Sequence, residues 1–274
     1  MIAKALVVAL AGALVSSPVA PPSAAPGDAA PRRIVSADLC ADQLVLHLAD
    51  RGQIAGLSRN AADPSLSAAA ARARGLPILR DSAEMLLVAD PDMVVAMPGW
   101  RGMRGGRQPR LIEVPSAETY PAIVERLRVV GDATGHAGRA EALVRAMDAR
   151  LAKLPRDAGR GKVAAYYQRR GYMTGTGTLV DDLMRRVGLV NLAGRLGKPV
   201  LSQLTLEEMV AAKPDYLILE SATARVADQG TEMLHHPALR DIPKLWLPQA
   251  WTVCGSPEYV LAAENLVRQM TRGR

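Results

Sequence analysis

Ser82-Ala83-Glu84-Met85-Leu86-Leu87-Val88-Ala89-Asp90-Pro91-Asp92 runs straight into the apolar tetrad Met93-Val94-Val95-Ala96, and the same design returns in the second half of the chain. There Thr205-Leu206-Glu207-Glu208-Met209-Val210-Ala211-Ala212-Lys213-Pro214-Asp215 leads into Tyr216-Leu217-Ile218-Leu219, with Glu84 and Glu207 at the same offset from their Pro-Asp. Each unit reads as a short helix with an acidic residue near its start, where the helix dipole favours negative charge. Each ends before a proline that cannot continue it. Pro-Asp then turns the chain into a short, continuously apolar strand of the kind buried on both faces of a parallel sheet. Two such units predict two lobes of similar build.

Working outward, further strands are expected at Ile34 to Ala37, Ile54 to Leu57 and Leu111 to Val114, and in the second half at Val163 to Tyr167 and Leu245 to Leu247. They are short, apolar and separated by helical segments, the pattern of an α/β fold with mostly parallel sheets flanked by helices. Between the halves, Ala140, Leu143, Val144, Met147, Leu151 and Leu154 share one helical face, so Ala137 to Leu154 reads as one long amphipathic helix. Gly131 and Gly135 precede it and Pro155 follows. The expected organisation is a first lobe over residues 31–135, a connecting helix over 136–155 and a second lobe over 156–274, with limited hinge motion.

Residues 1–30 are set apart. Lys4, an apolar run from Ala5 to Val15 and a stretch of small residues and prolines from Ser16 to Pro31 have the layout of a secretory signal. The run is short for a bilayer span, and no cysteine falls in this region. Export gives the two cysteines of the chain, Cys40 and Cys254, an oxidising compartment in which an even pair suits a disulfide. The 274 residues are 49% hydrophobic with 3% aromatic and no Phe, so a sizeable core must be built from Leu, Val, Ala, Ile and Met. The net charge of +7 fits anionic partners or a basic surface. There is no zinc-finger spacing and no basic run interleaved with aromatics, which speaks against nucleic acid.

Several motifs in order carry a resemblance. Arg33-Ile34-Val35-Ser36, Leu39-Cys40-Ala41-Asp42-Gln43-Leu44 and Ile54-Ala55-Gly56-Leu57-Ser58 are followed by the two glutamate units and the Gly131-to-Gly135 lead into the long helix. Thr174-Gly175-Thr176-Gly177-Thr178-Leu179, Gly188-Leu189-Val190-Asn191 and His236-Pro237-Ala238-Leu239 complete the series. Together they resemble the periplasmic cobalamin- and ferric-siderophore-binding proteins of ABC importers across nearly the whole mature chain. The resemblance implies two lobes bridged by a long helix, a ligand cleft between them and delivery to a membrane permease. It also implies that Glu84 and Glu207, one at the tip of each lobe, dock to arginines of the permease.

Ligands of such sheets sit at strand ends facing the crevice. In the first lobe these ends supply Asp38 to Cys40, Ser58 and Arg59, and Met97 to Arg101. In the second they supply Tyr166 to Arg170, Tyr172, Glu220 and Ser221, and Trp251 to Cys254. The residues expected to contact ligand are Asp38, Cys40, Ser58, Arg59, Trp100, Arg101, Arg104, Tyr166, Tyr167, Tyr172, Trp251 and Cys254. The aromatic rings among them suit stacking on a flat ligand. Arg101, Arg104, Arg107 and Arg110 in a Gly-rich loop suit carboxylates, or form a merely solvated loop. Cys40 and Cys254 are open to three readings: a disulfide worth about 4 to 5 kcal/mol by chain entropy, a pair of thiolate ligands for a metal or cobalt centre, or unrelated thiols.

Enzymatic signatures are weak. Gly175-Thr176-Gly177 has no Walker lysine and no complete dinucleotide fingerprint, and Ser256 lacks the nucleophile-elbow pattern. The four histidines form no constellation, so a directly bound metal ion is not expected. The expectation is therefore a monomeric periplasmic solute-binding protein without catalytic residues or a cofactor of its own, taking an iron or cobalt chelate: cobalamin, a ferric siderophore or haem. The alternatives are an exported corrinoid- or metal-handling redox protein using Cys40 and Cys254, and a ligand sensor uncoupled from transport.

Overall fold

The computed structural model describes residues 30–79, 88–101 and 108–272. Residues 1–29, where a secretory signal is expected, residues 80–87 of the first glutamate unit with Glu84, and residues 102–107 with Arg104 and Arg107 lie outside the described residues.

Two parallel four-stranded sheets dominate. The first is built from β1 (Ile34–Ser36), β2 (Ile54–Gly56), β3 (Met93–Ala96) and β4 (Arg110–Glu113), in the spatial order β2-β1-β3-β4. The second uses β5 (Val163–Tyr166), β7 (Val190–Asn191), β9 (Tyr216–Glu220) and β10 (Lys244–Leu247), in the order β10-β9-β5-β7. Numbered by their succession within each lobe, both sheets read second, first, third, fourth. The repeat is therefore topological, and the glutamate unit precedes the third strand each time.

The Pro-Asp turns show why. Asp90 and Lys213, each immediately before the proline, both adopt a left-handed backbone, with φ of 38° and 46°. The aspartate after the proline then ties the third strand to the first strand of its own sheet. The Asp92 carboxylate accepts from the backbone N–H groups of Arg32 at 2.7 Å and Arg33 at 3.1 Å. The Asp215 carboxylate accepts from Val163 N–H at 2.8 Å. A strand's first N–H has no ladder partner, and the side chain supplies one.

A small antiparallel pair, β6 (Tyr172–Thr174) with β8 (Leu201–Gln203), is appended to the second lobe. No alternating apolar pattern announces it in the sequence. The helices used below are α1 (Leu39–Leu48), α2 (Tyr120–Ala133), α3 (Ala137–Leu151), α4 (Leu179–Arg186), α5 (Leu192–Arg195), α6 (Leu206–Ala212), α7 (Gln229–Glu232) and α8 (Tyr259–Arg272).

The long helix, α3, is shorter than its apolar pattern. It ends at Leu151, and Lys153 and Leu154 continue with the tighter bonds to Arg150 and Leu151, because Pro155 disfavours helical backbone in the residue before it. Gly131 lies inside α2 and not in a linker. A Cβ placed on it would come 2.5 Å from the Ala140 Cβ, so the bare glycine is what lets α2 and α3 approach. The buried face of α3, Ala140, Val144, Met147 and Leu151, belongs to one core cluster with Ile34, Met93 and Val95 of the first sheet and Ile218, Leu245 and Leu247 of the second. The outer faces of the sheets have separate cores, one around Val35 and Val94 and one around Tyr167, Leu217 and Leu219.

The left-handed residue that ends α6 is the test of the turn. Lys213→Val places a β-branched side chain at positive φ and is expected to lower the thermal midpoint by roughly 2–4 °C, the shift of about 1 kcal/mol in a domain of this size. Lys213→Gly is expected not to lower it. Scanning calorimetry of the two variants reads the difference.

Candidate functional site

The C-terminal ends of β5 and β9 carry the residues of a crevice between the lobes. Tyr166, the last residue of β5, is 3% exposed, and its hydroxyl donates to Glu220 Oε1 at 3.3 Å. Gln168 Nε2 donates to the same oxygen at 3.2 Å, and Thr174 Oγ1 donates to Gln168 Oε1 at 3.4 Å. Burial, and then the negative charge of Glu220, push the Tyr166 phenol well above its ordinary pKa, so it stays a protonated donor.

Two adjoining cavities, of about 200 and about 290 Å³, open on this cluster and share Gln168, Glu220 and Gln249. The smaller is also lined by Tyr166, Thr178, Leu179 and Thr252 and, from the first lobe, by Glu118. The larger extends to Arg169, Tyr172 and Leu201. Glu118 joins the lobes here, accepting at 3.1 Å from the N–H of Leu179 at the start of α4.

The first lobe's strand ends are knitted to one another. Asp38 caps α1, accepting from Cys40 N–H at 3.0 Å and Ala41 N–H at 2.9 Å, and its other oxygen accepts from Met97 N–H at 2.7 Å. Buried Asp42 accepts from the Ser58 N–H at 3.0 Å and hydroxyl at 2.5 Å. Burial outweighs these bonds and pushes its pKa up to about 6. Asp38 and Ser58 are thus engaged in holding the ends of β1, β2 and β3 together.

Cys40 and Cys254 are joined by a disulfide, sulfurs 2.07 Å and Cα atoms 5.3 Å apart. It fastens the start of α1 in the first lobe to the segment that follows the cavity wall at Thr252 and Val253. Sulfurs bonded to each other are not thiolate ligands, so the readings of a coordinating thiol pair and of unrelated thiols are replaced by a cross-lobe tether. Behind the crevice, Asp182 of α4 accepts from Tyr120 N–H of α2 at 3.2 Å and from the Tyr259 hydroxyl of α8 at 2.6 Å. The Arg186 guanidinium lies 4.8 Å from the Tyr120 ring centre and 5.7 Å from that of Tyr259. His47 of α1 meets Glu258 at 2.8 Å across the same seam.

Of the residues singled out from sequence, Tyr166 and Tyr172 line these cavities. Tyr167 does not. Side chains alternate along a strand, so it points to the opposite face of the second sheet, buried with its hydroxyl donating to Leu204 C=O at 3.0 Å. Trp100 packs over Val35, Val94 and Ala96 on the outer face of the first sheet. Trp251 packs against the shared core. Arg59 and Arg101 are exposed and line neither cavity. Arg104 and Glu84 lie outside the described residues. Glu118 and Gln249 were not anticipated: Gln249 follows the end of β10, whose Leu247 is in register with Glu220, while Glu118 comes from the first lobe and only the meeting of the lobes brings it to the cavity.

Glu207 stands exposed in the first turn of α6. Its neighbour Glu208 closes the capping box with Thr205 and pairs with Lys198 at 3.1 Å, which leaves the Glu207 carboxylate without an ion pair among the described residues. No group of histidine, cysteine, aspartate and glutamate among the described residues is arranged to hold a metal ion.

A search of curated proteins finds no match. The family model described as "Periplasmic binding protein" matches residues 34–243. The chain belongs to the periplasmic binding protein family. Solved structures agree in fold with this binding protein over most of its length. The periplasmic heme-binding protein RhuT from Roseiflexus sp. RS-1 has a TM-score of 0.65 at 22% identity, covering 88% of this chain and 98% of that one. The periplasmic vitamin B12 binding protein BtuF of Vibrio cholerae has a TM-score of 0.62 at 13% identity, covering 88% and 97%. An ABC-type Fe3+-hydroxamate transport system protein from Saccharomonospora viridis DSM 43017 has a TM-score of 0.60 at 18% identity, covering 88% and 93%. Among the described residues, no helix of the binding protein is long and apolar enough to cross a membrane.

Two measurements probe the frame of the crevice. Replacing both cysteines by serine releases a link across a sequence separation of 214 residues, for which loop-closure entropy gives about 5 kcal/mol. The expected result is a large fall in denaturant midpoint, matched by the reduced wild type. For Asp42 the folded pKa of about 6 lies above the ordinary 3.8 of the side chain, so the folded state holds a proton that the unfolded chain has released between those values. Stability from this group therefore falls as pH rises through that window. In urea melts at about pH 4 and about pH 7, the stability of Asp42→Asn relative to wild type is expected to improve toward neutral pH by roughly 2–3 kcal/mol.

Proposed function

We propose that the protein captures a metal chelate of iron or cobalt in the interlobe crevice, outside the cytoplasmic membrane, and delivers it to the permease of an ABC importer. The observation that carries this reading is the pair of cavities at the strand ends of the second sheet, the smaller walled from the first lobe by Glu118 and lined by Val253, next to the Cys40–Cys254 tether. Crevices at strand ends are where open α/β sheets bind ligands, and these cavities adjoin to offer room for a ligand larger than a bare ion. The names of the structural neighbours, which bind haem, vitamin B12 or belong to Fe3+-hydroxamate transport, support a chelate as the cargo. Such a carrier binds and releases and turns nothing over. Export through the leader of residues 1–30 brings it to the periplasm.

Docking is assigned to Glu207 and, at the matching position of the first lobe, Glu84. A carboxylate left unpaired on the first turn of a helix is available to an arginine of a partner. The test has two arms. Incubation with cobalamin, haemin and ferric chelates, followed by desalting and an absorption spectrum, is expected to show co-eluting chromophore and a raised melting temperature. A tight complex with none of them would refute the reading. In cells, Glu207→Lys combined with Glu84→Lys is expected to abolish chelate uptake while leaving binding in solution intact. Unimpaired uptake would point to a sensor.

A further inference from the structure

The charges that line the crevice bear on which chelate it takes, a question that rests on the function proposed above. Of the described residues lining the two cavities, Glu118 and Glu220 are carboxylates and Arg169 is the single cation. Arg169 is already committed, its guanidinium 2.5 Å from Asp228. Glu220 is 7% exposed, and Oε1 takes both the Tyr166 hydroxyl and the Gln168 amide, while Oε2 receives no hydrogen bond among the described residues. The Gln249 side chain, shared by both cavities, likewise makes none among the described residues. Glu220 and Gln249 line the same space, so it holds a carboxylate oxygen without a hydrogen bond among the described residues and an amide with one acceptor and one donor group, while the Thr178 and Thr252 hydroxyls donate to backbone carbonyls.

We propose that the crevice selects an electroneutral or cationic metal chelate whose rim presents amide N–H or hydroxyl donors, and disfavours chelates rimmed by carboxylates or catecholates. A donor from such a rim completes the half-used carboxylate of Glu220 with a charge-assisted bond, the strong class of hydrogen bond. A ligand carboxylate in the same place would set like charges together, and the cation among the described lining residues, Arg169, is held by Asp228. The protonated state of Tyr166 fits the same picture, because its hydroxyl donates to Glu220 and a phenol held neutral is a poor ligand for ferric iron. Of the arginines whose loop suggested carboxylates from sequence, Arg101 and Arg110 line neither cavity, and Arg104 and Arg107 lie outside the described residues.

Four probes separate the classes: cyanocobalamin and a ferric trihydroxamate, both electroneutral with amide groups, against haemin, with two carboxylates, and an anionic ferric tris-catecholate. Titrations of the purified protein are expected to show the neutral pair binding at least ~10-fold more tightly than the anionic pair. Glu220→Gln, nearly isosteric, is expected to weaken the neutral chelates by ~10-fold and to strengthen the anionic ones, so that the ratio moves in a way a general loss of packing would not produce. Haemin or the catecholate binding tighter than both neutral chelates, or an unchanged ratio in Glu220→Gln, would overturn the charge selection while leaving chelate capture standing. Binding of none of the four would overturn both.

Discussion

A single apolar core passes from Ile34 and Met93 of the first sheet, through Ala140, Val144 and Met147 of α3, to Ile218 and Leu245 of the second, so neither lobe can move without exposing the other's packing. Burial on this scale is the dominant favourable term in folding. The close approach of α2 and α3 over Gly131 brings the core together at its middle. Around it, the seam is reinforced by the Tyr120, Asp182, Arg186 and Tyr259 cluster and by the His47–Glu258 contact. The crevice is thus a gap left between two bodies that share a back, and its walls are largely preformed.

The disulfide acts at the other side of that gap. Cys40 begins α1, whose cap Asp38 also holds the loop after β3, while Cys254 follows the wall that includes Thr252 and Val253. A tether placed there adds a covalent link between the two walls, next to the shared-core residues Ala41 and Trp251. Preorganisation of this kind lowers the ordering cost of binding. On the proposed function, ligand selection then falls to the side chains already lining the cavities, above all Glu220, Gln168 and Gln249, more than to closure of the lobes.

Much of this was legible locally. Pro-Asp recurs at equal offset from Glu84 and Glu207, and the structure repeats even the left-handed residue before each proline and the aspartate's bond to the neighbouring strand. The main strands of both sheets fell within a residue or two of their apolar runs, because a strand buried on both faces, such as β1 or β3, leaves an unbroken apolar stretch, while the exposed edge strand β4 showed only Leu111 and Ile112. The two-residue β7 and the β6–β8 pair left no such stretch, and the end of α3 was set by Pro155 against its own apolar pattern. Tyr166 and Tyr167 are adjacent and of one type, and nothing local says which faces the crevice. Strand alternation separates them only after the sheet has found its two partners.

The sequence by itself determined two similar α/β lobes, the helix between them and the strand ends where a ligand would meet them, since hydrophobic period, proline and turn chemistry act over a few residues. Tertiary structure decided the rest: that Cys40 meets Cys254, that Glu118 and Gln249 reach Glu220, and that much of the scarce aromatic content serves the seam and the cores. Those are contacts between residues far apart in the chain, and their geometry follows from how the shared core packs, which no single segment encodes.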